Sequence, residues 1–211
     1  MRERPILFNG AMVRAILSGA KSQTRPVVTP APDARADWMR SDVNNVCHAG
    51  TNVGEVPGFG VWQCPFGQPG DRLWVRETTQ VDRITSDSAE LARYSADQQP
   101  VCYPLGTGNG YDGAWQLWWY SRDTCPNNHM PRKACRLVLE ITDVRVERLH
   151  AISEGDAVAE GAMVWAGEQD TPIRDLNTGD ERIAFKALWA STGGDWDANP
   201  WVWAISFRRL P

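Results

Sequence analysis

The chain has 211 residues, 42% of them apolar, enough for one sizeable domain with a packed core. A formal net charge of -4 argues against a protein that lives on nonspecific duplex binding, where phosphate neutralisation supplies the affinity, and leaves room for a small nucleoside ligand or a local basic patch. Arg2 and Arg4 precede only Pro5-Ile6-Leu7-Phe8, too short for the apolar region of a signal peptide, and no segment approaches the ~20 apolar residues of a membrane span, so a cytoplasmic location is expected.

Residues 5–8 read as a short strand or extended arm. Met12, Val13, Ile16 and Leu17 recur with helical spacing, and Gly19 is a good stop. Lys21 to Val28 reads as extended, ending at Pro30. Residues 29–69, rich in Pro, Gly, Asp and Asn, read as a long loop. Gly70-Asp71 is a turn, and Arg72 to Thr78 alternates like a strand. Residues 79–130 form a second irregular region carrying Trp115, Trp118 and Trp119, three of the eleven tryptophans. Such long stretches inside a domain imply functional insertions or short elements too weak to resolve. Gly106-Thr107-Gly108-Asn109-Gly110 lacks the lysine and the strand-turn-helix context of a phosphate loop.

Arg136 to Arg148 is the strongest strand signal, with Asp143 as a break or bend. Ser153 looks like an N-cap with Asp156 in a capping-box-like role, opening a helix through Ala157, Val158 and Glu160 that stops near Gly161. Asp180 to Ser191 is another helix, with Ile183, Ala187 and Leu188 on one side, ended by Gly193-Gly194. Trp201 to Phe207 is a final strand. Short strands with two or three helices between them predict an α+β domain, a small mixed or antiparallel barrel with helices on its rim.

Lys21 and Thr24 offer a base and a hydroxyl nucleophile at short range. A hydroxyl needs a neighbouring base at neutral pH, and a buried lysine can be one. On spacing alone, Gly-x-Lys after a helix is an ordinary C-terminal cap followed by a solvated lysine. In a regular strand, residues three apart point to opposite faces, so the two converge only if the backbone turns between them. The five cysteines are irregularly spaced and read as free thiols. Neither Cys125-x3-His129 with Cys135 nor Cys47-His48 with Cys64 has paired Cys-x-x-Cys spacing, so no metal and no other cofactor is expected. His48, His129 and His150 lie apart and give no Ser-His-Asp triad.

Four blocks stand in order: Gly19-x-Lys21-x-x-Thr24 after a short helix, Gly70-Asp71-x-Leu73 opening a strand, Ile152-Ser153-Glu154 opening a helix, and a terminal strand ending Phe207-Arg208. Together they resemble the ASCH family of PUA-like β-barrels. Arg4 to Phe8, Trp74 to Thr78 and Trp196-Asp197-x-Asn199-Pro200-Trp201 are similar to its longer, prophage-encoded members. The blocks cover about half the chain, and residues 30–68, 79–130 and 164–180 read as insertions into a single domain over 1–211.

The resemblance implies a PUA-like small β-barrel with helices at the rim and long loop insertions. It also implies an amidohydrolase that removes acyl groups from N(4)-acylated cytosine nucleosides. The catalytic lysine and threonine of such enzymes fall on Lys21 and Thr24, and their glutamate, matched from Ile152 onward, on Glu160. Thr24 would attack the acyl carbonyl, or position a water that Glu160 activates; Lys21 would accept a proton and Glu160 would pass one to the exocyclic nitrogen. Arg25, Trp74, Arg76 and Glu77 are the expected substrate-binding residues. Without the resemblance, Glu160 reads as a solvated helix residue and Glu77 as a surface ion pair with Arg76 or Arg72. One departure stands out: the family's arginine two residues after the threonine is here Pro26, and the arginine is Arg25. The expected partner is a small nucleoside, with no membrane. The alternatives are an RNA- or modified-base-binding module using Arg4, Arg14 and Arg25, and a ribonuclease.

Overall fold

The computed structural model describes residues 1–32, 35–41, 46–51, 60–108, 110–169 and 180–211. In chain order the elements are β1 (Glu3–Leu7), α1 (Gly10–Leu17), β2 (Gln23–Thr24), β3 (Trp38–Ser41), β4 (Val46–Gly50), β5 (Val61–Gln63), β6 (Arg72–Arg76), β7 (Thr79–Asp82), β8 (Leu91–Tyr94), β9 (Thr124–Cys125), β10 (Val138–Arg148), α2 (Glu154–Ala159), α3 (Ala162–Gly167), α4 (Glu181–Ser191) and β11 (Trp201–Arg209). The fold is mixed α+β. Three sheets carry the strands: β1-β6-β10-β11-β2, β3-β4-β5 and β8-β7-β9.

The five-stranded sheet organises the rest. β1 runs parallel to β6, with Leu7 opposite Arg76. β10 pairs antiparallel with β6 and, along nearly its whole length, with β11. A register shift between Ile141 and Asp143, where the sequence shows its break, bends β10 without ending it; a bulge there adds local twist. β2 closes the order beside β11, pairing Thr24 with Ile205. Alternation fixes what is inside: Leu73 and Val75 of β6, Leu139 and Ile141 of β10, and Trp203, Ile205 and Phe207 of β11 are buried with Ile6, Phe8, Val13 and Ile16. Among the described residues, no ladder joins β1 to β2, and the sheet is not a closed barrel.

The helices cover one end of this sheet. Asn9 caps α1 through a 2.9 Å bond from the Met12 amide to its Oδ1, and Gly19 ends it at φ +79°. Ser153 caps α2, accepting from the Asp156 amide at 3.1 Å. α2, α3 and α4 pack together over Leu149, Ile152 and Val202. On α4 the buried face is Ala184, Phe185 and Leu188, while Ile183, expected beside Leu188, is exposed. Positions 184 and 185 stand four and three residues before 188, so the three share one stripe, and 183 falls outside it.

The two irregular regions are not bare loops. Residues 38–63 hold the hairpin sheet β3-β4-β5, and residues 79–130 hold β7, β8 and β9 around Ala92, Tyr94, Val101 and Met130. Of the expected insertion at 164–180, α3 accounts for the first part, and 170–179 lies outside the described residues.

Candidate active site

The two edge strands of the main sheet meet a common cavity. Pro5 to Phe8 line it from β1 and its exit, and Thr24 to Pro26 line it from β2. The sheet therefore coils until its edges face each other across about 570 Å³ of open space. Pro5 suits that unpaired edge, since it has no amide to leave unbonded. Phe185, Leu188 and Trp189 of α4 supply an apolar wall, and Glu160 and Arg76 complete the polar part.

Glu160 reaches this wall by a backbone device. It is the C-cap of α2, and the next residue, Gly161, turns left-handed at φ +78°. The chain end of α2 is thereby stitched to the start of β2: Ser22 donates its amide to Ala159 O at 2.8 Å, and Lys21 bridges Glu160. A Cβ at Gly161 would stand 3.0 Å from Ala15 Cβ and 3.2 Å from Lys21 Cβ, so only glycine fits so close an approach.

Both carboxylate oxygens of Glu160 are held by cations. Lys21 Nζ donates to Oε2 at 2.7 Å, and Arg25 Nη1 donates to Oε1 at 3.0 Å. Lys21 donates its other two protons to Glu160 O at 2.9 Å and Gln23 O at 2.7 Å. Its side chain is 0% exposed. Burial draws the Lys21 pKa below the usual lysine range; Glu160 pulls the other way, and the Arg25 charge adds to the lowering. Arg25 is itself enclosed by carboxylates. Its Nη2 lies 2.9 Å from Glu147 and 3.1 Å from Asp156, and its Nη1 also bonds the Gln23 amide oxygen. Arg145 crosslinks the same two acids, at 3.0 Å to Glu147 and 2.8 Å to Asp156. Burial of Asp156 resists ionisation, yet the hydrogen bonds from Arg145 and Ser153 and the Arg25 charge outweigh it and hold its carboxyl at about 2.

The structure thus brings Lys21, Thr24, Arg25 and Glu160 to one place, but without the direct contact between Lys21 and Thr24 expected of a base and its nucleophile. Thr24 and Glu160 face the cavity, whereas Lys21 sits behind Glu160, outside the lining. None of the three Lys21 hydrogen bonds goes to Thr24. The strand rule explains this: the chain is nearly extended from Lys21 to Thr24, so the two side chains part. The carboxylate that reaches the cavity is Glu160, and Lys21 donates to it from behind.

The remaining expected residues divide. Arg76 lines the cavity; Trp74 does not, and instead lies under the guanidinium groups of Arg76 and Arg132 at 5.4 and 5.6 Å. Glu77 is outside the lining, in a two-pronged ion pair with Arg136 at 2.8 Å for each oxygen rather than with Arg76 or Arg72. Burial pushes its carboxyl above the usual range, against the pull of Arg136. The arginines proposed for an RNA surface are each matched by a carboxylate: Arg14 by Glu168 at 2.7 Å, Arg4 by Asp71 at 3.9 Å, and Arg25 by its buried cluster. The Gly106, Thr107 and Gly108 amides all donate to the Asp112 carboxylate. Among the described residues, no group of three or more His, Cys, Asp or Glu is placed to hold a metal, and no helix is long and apolar enough to cross a membrane. None of the five cysteines, all among the described residues, forms a disulfide.

Sequence reasoning missed the acids beneath Arg25. Their signal was present: Asp143, Arg145 and Glu147 alternate along one face of β10, a charged stripe in a strand otherwise rich in apolar residues. No family model, curated protein or solved structure matches the chain.

Proposed function

We propose that the protein is a hydrolase that removes acyl groups from the exocyclic nitrogen of N(4)-acylated cytosine nucleosides, in an ASCH-like domain whose PUA-like barrel is left open between β1 and β2. The observation that carries this reading is the Glu160 carboxylate, fixed between Lys21 and Arg25 at the wall of a cavity it shares with Thr24. Amide cleavage needs an attacking oxygen, a group to take its proton, and a proton for the departing nitrogen. Glu160 takes the proton of the attacking hydroxyl as the new C–O bond forms. It returns that proton to N4 as the C–N bond breaks, giving the free cytosine amine. Attack by Thr24 leaves an acyl ester that water then cleaves to the carboxylic acid. Attack by water yields the acid directly, with Thr24 as a hydrogen-bond partner. Lys21 holds the Glu160 side chain in place from behind through its 2.7 Å hydrogen bond to Oε2. The apolar wall from α4 gives the cytosine base and the acyl group a surface to pack against.

The test is release of cytidine from N(4)-acetylcytidine. Turnover is expected to fall by roughly a hundredfold or more in Glu160→Gln, and also in Lys21→Ala. Thr24→Ser retains activity, and Thr24→Val separates the two modes of attack. Full activity in Lys21→Ala or Glu160→Gln overturns the mechanism. No turnover by the wild type across several acyl groups overturns the function and favours a module that binds RNA or a modified base without chemistry.

A further inference from the structure

We propose that the cavity takes its substrate as a nucleotide, with the guanidinium of Arg76 holding a 5′-phosphate. The proposal rests on the cytosine reading above for the rest of the ligand. Two arginines line the cavity, and they differ in one respect. Arg25 is surrounded by Glu147, Asp156 and Glu160. Among the described residues no carboxylate pairs with Arg76. The Arg76 Nη2 donates to the Asn128 carbonyl, while its Nε is shut off from solvent with no hydrogen-bond partner. What carries the proposal is the unbalanced charge: a guanidinium that lines a cavity, with no carboxylate beside it among the described residues, is matched by an anion bound there. The Trp74 ring, 5.4 Å from the guanidinium carbon, backs the group.

The surroundings of Arg76 suit an anion as well. The Phe8 amide donates to Arg76 O at 3.1 Å, so the chain that follows, Asn9 and the first turn of α1, begins beside it. Asn9 and Met12 of that turn are in the cavity wall, and the turn carries no acidic residue. The N-terminal end of α1 adds partial positive charge to that of Arg76.

Position then selects the ligand. Arg76 and Asn9 belong to the β1–β6 edge of the coiled sheet, whereas Thr24, Arg25 and Glu160 belong to the β2 edge. A cytidine nucleotide likewise carries its phosphate and its N4 at opposite ends, with the sugar and base between. Of the groups on such a substrate, the phosphate alone is anionic.

The experiment compares N(4)-acetylcytidine with its 5′-monophosphate as substrates, and cytidine with cytidine 5′-monophosphate as ligands by calorimetry. Wild type, Arg76→Met and Arg76→Lys are tested. The wild type is expected to favour the nucleotide by roughly tenfold to a hundredfold in kcat/KM and in affinity. The ratio collapses towards one in Arg76→Met, partly returns in Arg76→Lys, and shrinks with added salt. Circular dichroism establishes that each variant folds, and the wild-type ratio stands without them. Equal use of nucleoside and nucleotide by the wild type, or a preference that survives in Arg76→Met, overturns the phosphate site and leaves the amidohydrolase reading intact. No turnover of either substrate, with Arg76-dependent binding of the monophosphate, does the reverse. A preference for an N(4)-acetylated oligonucleotide over the monophosphate also overturns the proposal, in favour of a polymer.

Discussion

Exchanging Lys21 for methionine and Glu160 for glutamine, singly and together, measures the pair that builds the cavity wall. Glu160→Gln keeps the shape of the side chain and an acceptor for Arg25, but leaves an ammonium with 0% exposure facing only neutral oxygens. Removing one partner of a buried pair costs about 3–5 kcal/mol. Here the cost falls at the lower end, about 3 kcal/mol, because Lys21 can shed its proton, its pKa being already depressed by burial. Lys21→Met leaves the carboxylate with Arg25, whose bond to Oε1 persists, so the loss is smaller, about 2 kcal/mol. In the double variant a neutral amide lies over a neutral thioether of similar volume. Its cost should undercut the sum of the singles by about 2 kcal/mol. Urea unfolding followed by tryptophan fluorescence reads all four corners of the cycle. Additivity within about 0.5 kcal/mol would refute the pairing and, with it, the role given to Lys21. The pH dependence has a definite sign. With the folded Lys21 pKa below the unfolded value of 10.5, the unfolded chain binds the proton more readily in the window between them. Stability due to this group therefore rises with pH through that window, and Glu160→Gln moves the rise to lower pH.

Gly161→Ala forces a Cβ to within 3.0 Å of Ala15 Cβ and a non-glycine residue to φ +78°; it should cost about 1–3 kcal/mol in urea unfolding and displace Glu160 enough to lower turnover, and an unchanged midpoint would count against the close approach. Asp156 is held at about 2 against an ordinary 3.8, so its contribution is present above pH 3.8 and lost as pH falls towards 2; thermal unfolding of Asp156→Asn over that range should show a flatter acid limb, and a limb identical to the wild type would remove Asp156 from the Arg25 cluster.

Elements whose signals are local were legible in the sequence. The stripe Val13, Ile16 and Leu17 with Gly19 gave α1, Ser153 gave the start of α2, and the apolar runs at 137–146 and 201–207 gave β10 and β11, because capping and alternation act over a few residues. The short strands β3–β5 and β7–β9 were not, since two to five residues interrupted by Pro and Gly show no period, and only their partners make them strands. The resemblance named Lys21, Thr24 and Glu160 and cast Lys21 as the base for Thr24, but where the three stand in space was not legible in the sequence. Whether Lys21 faces Thr24 or lies behind Glu160 depends on the stitch between Ser22 and Ala159, an approach of segments far apart in the chain that Gly161 permits. The separation of Glu77 from the cavity, the acids around Arg25, and the lack of a carboxylate beside Arg76 among the described residues likewise follow from how the coiled sheet brings its edges together. Charge type is written in the sequence, while charge balance at a buried site is a sum over non-local neighbours, and only the tertiary structure sets it.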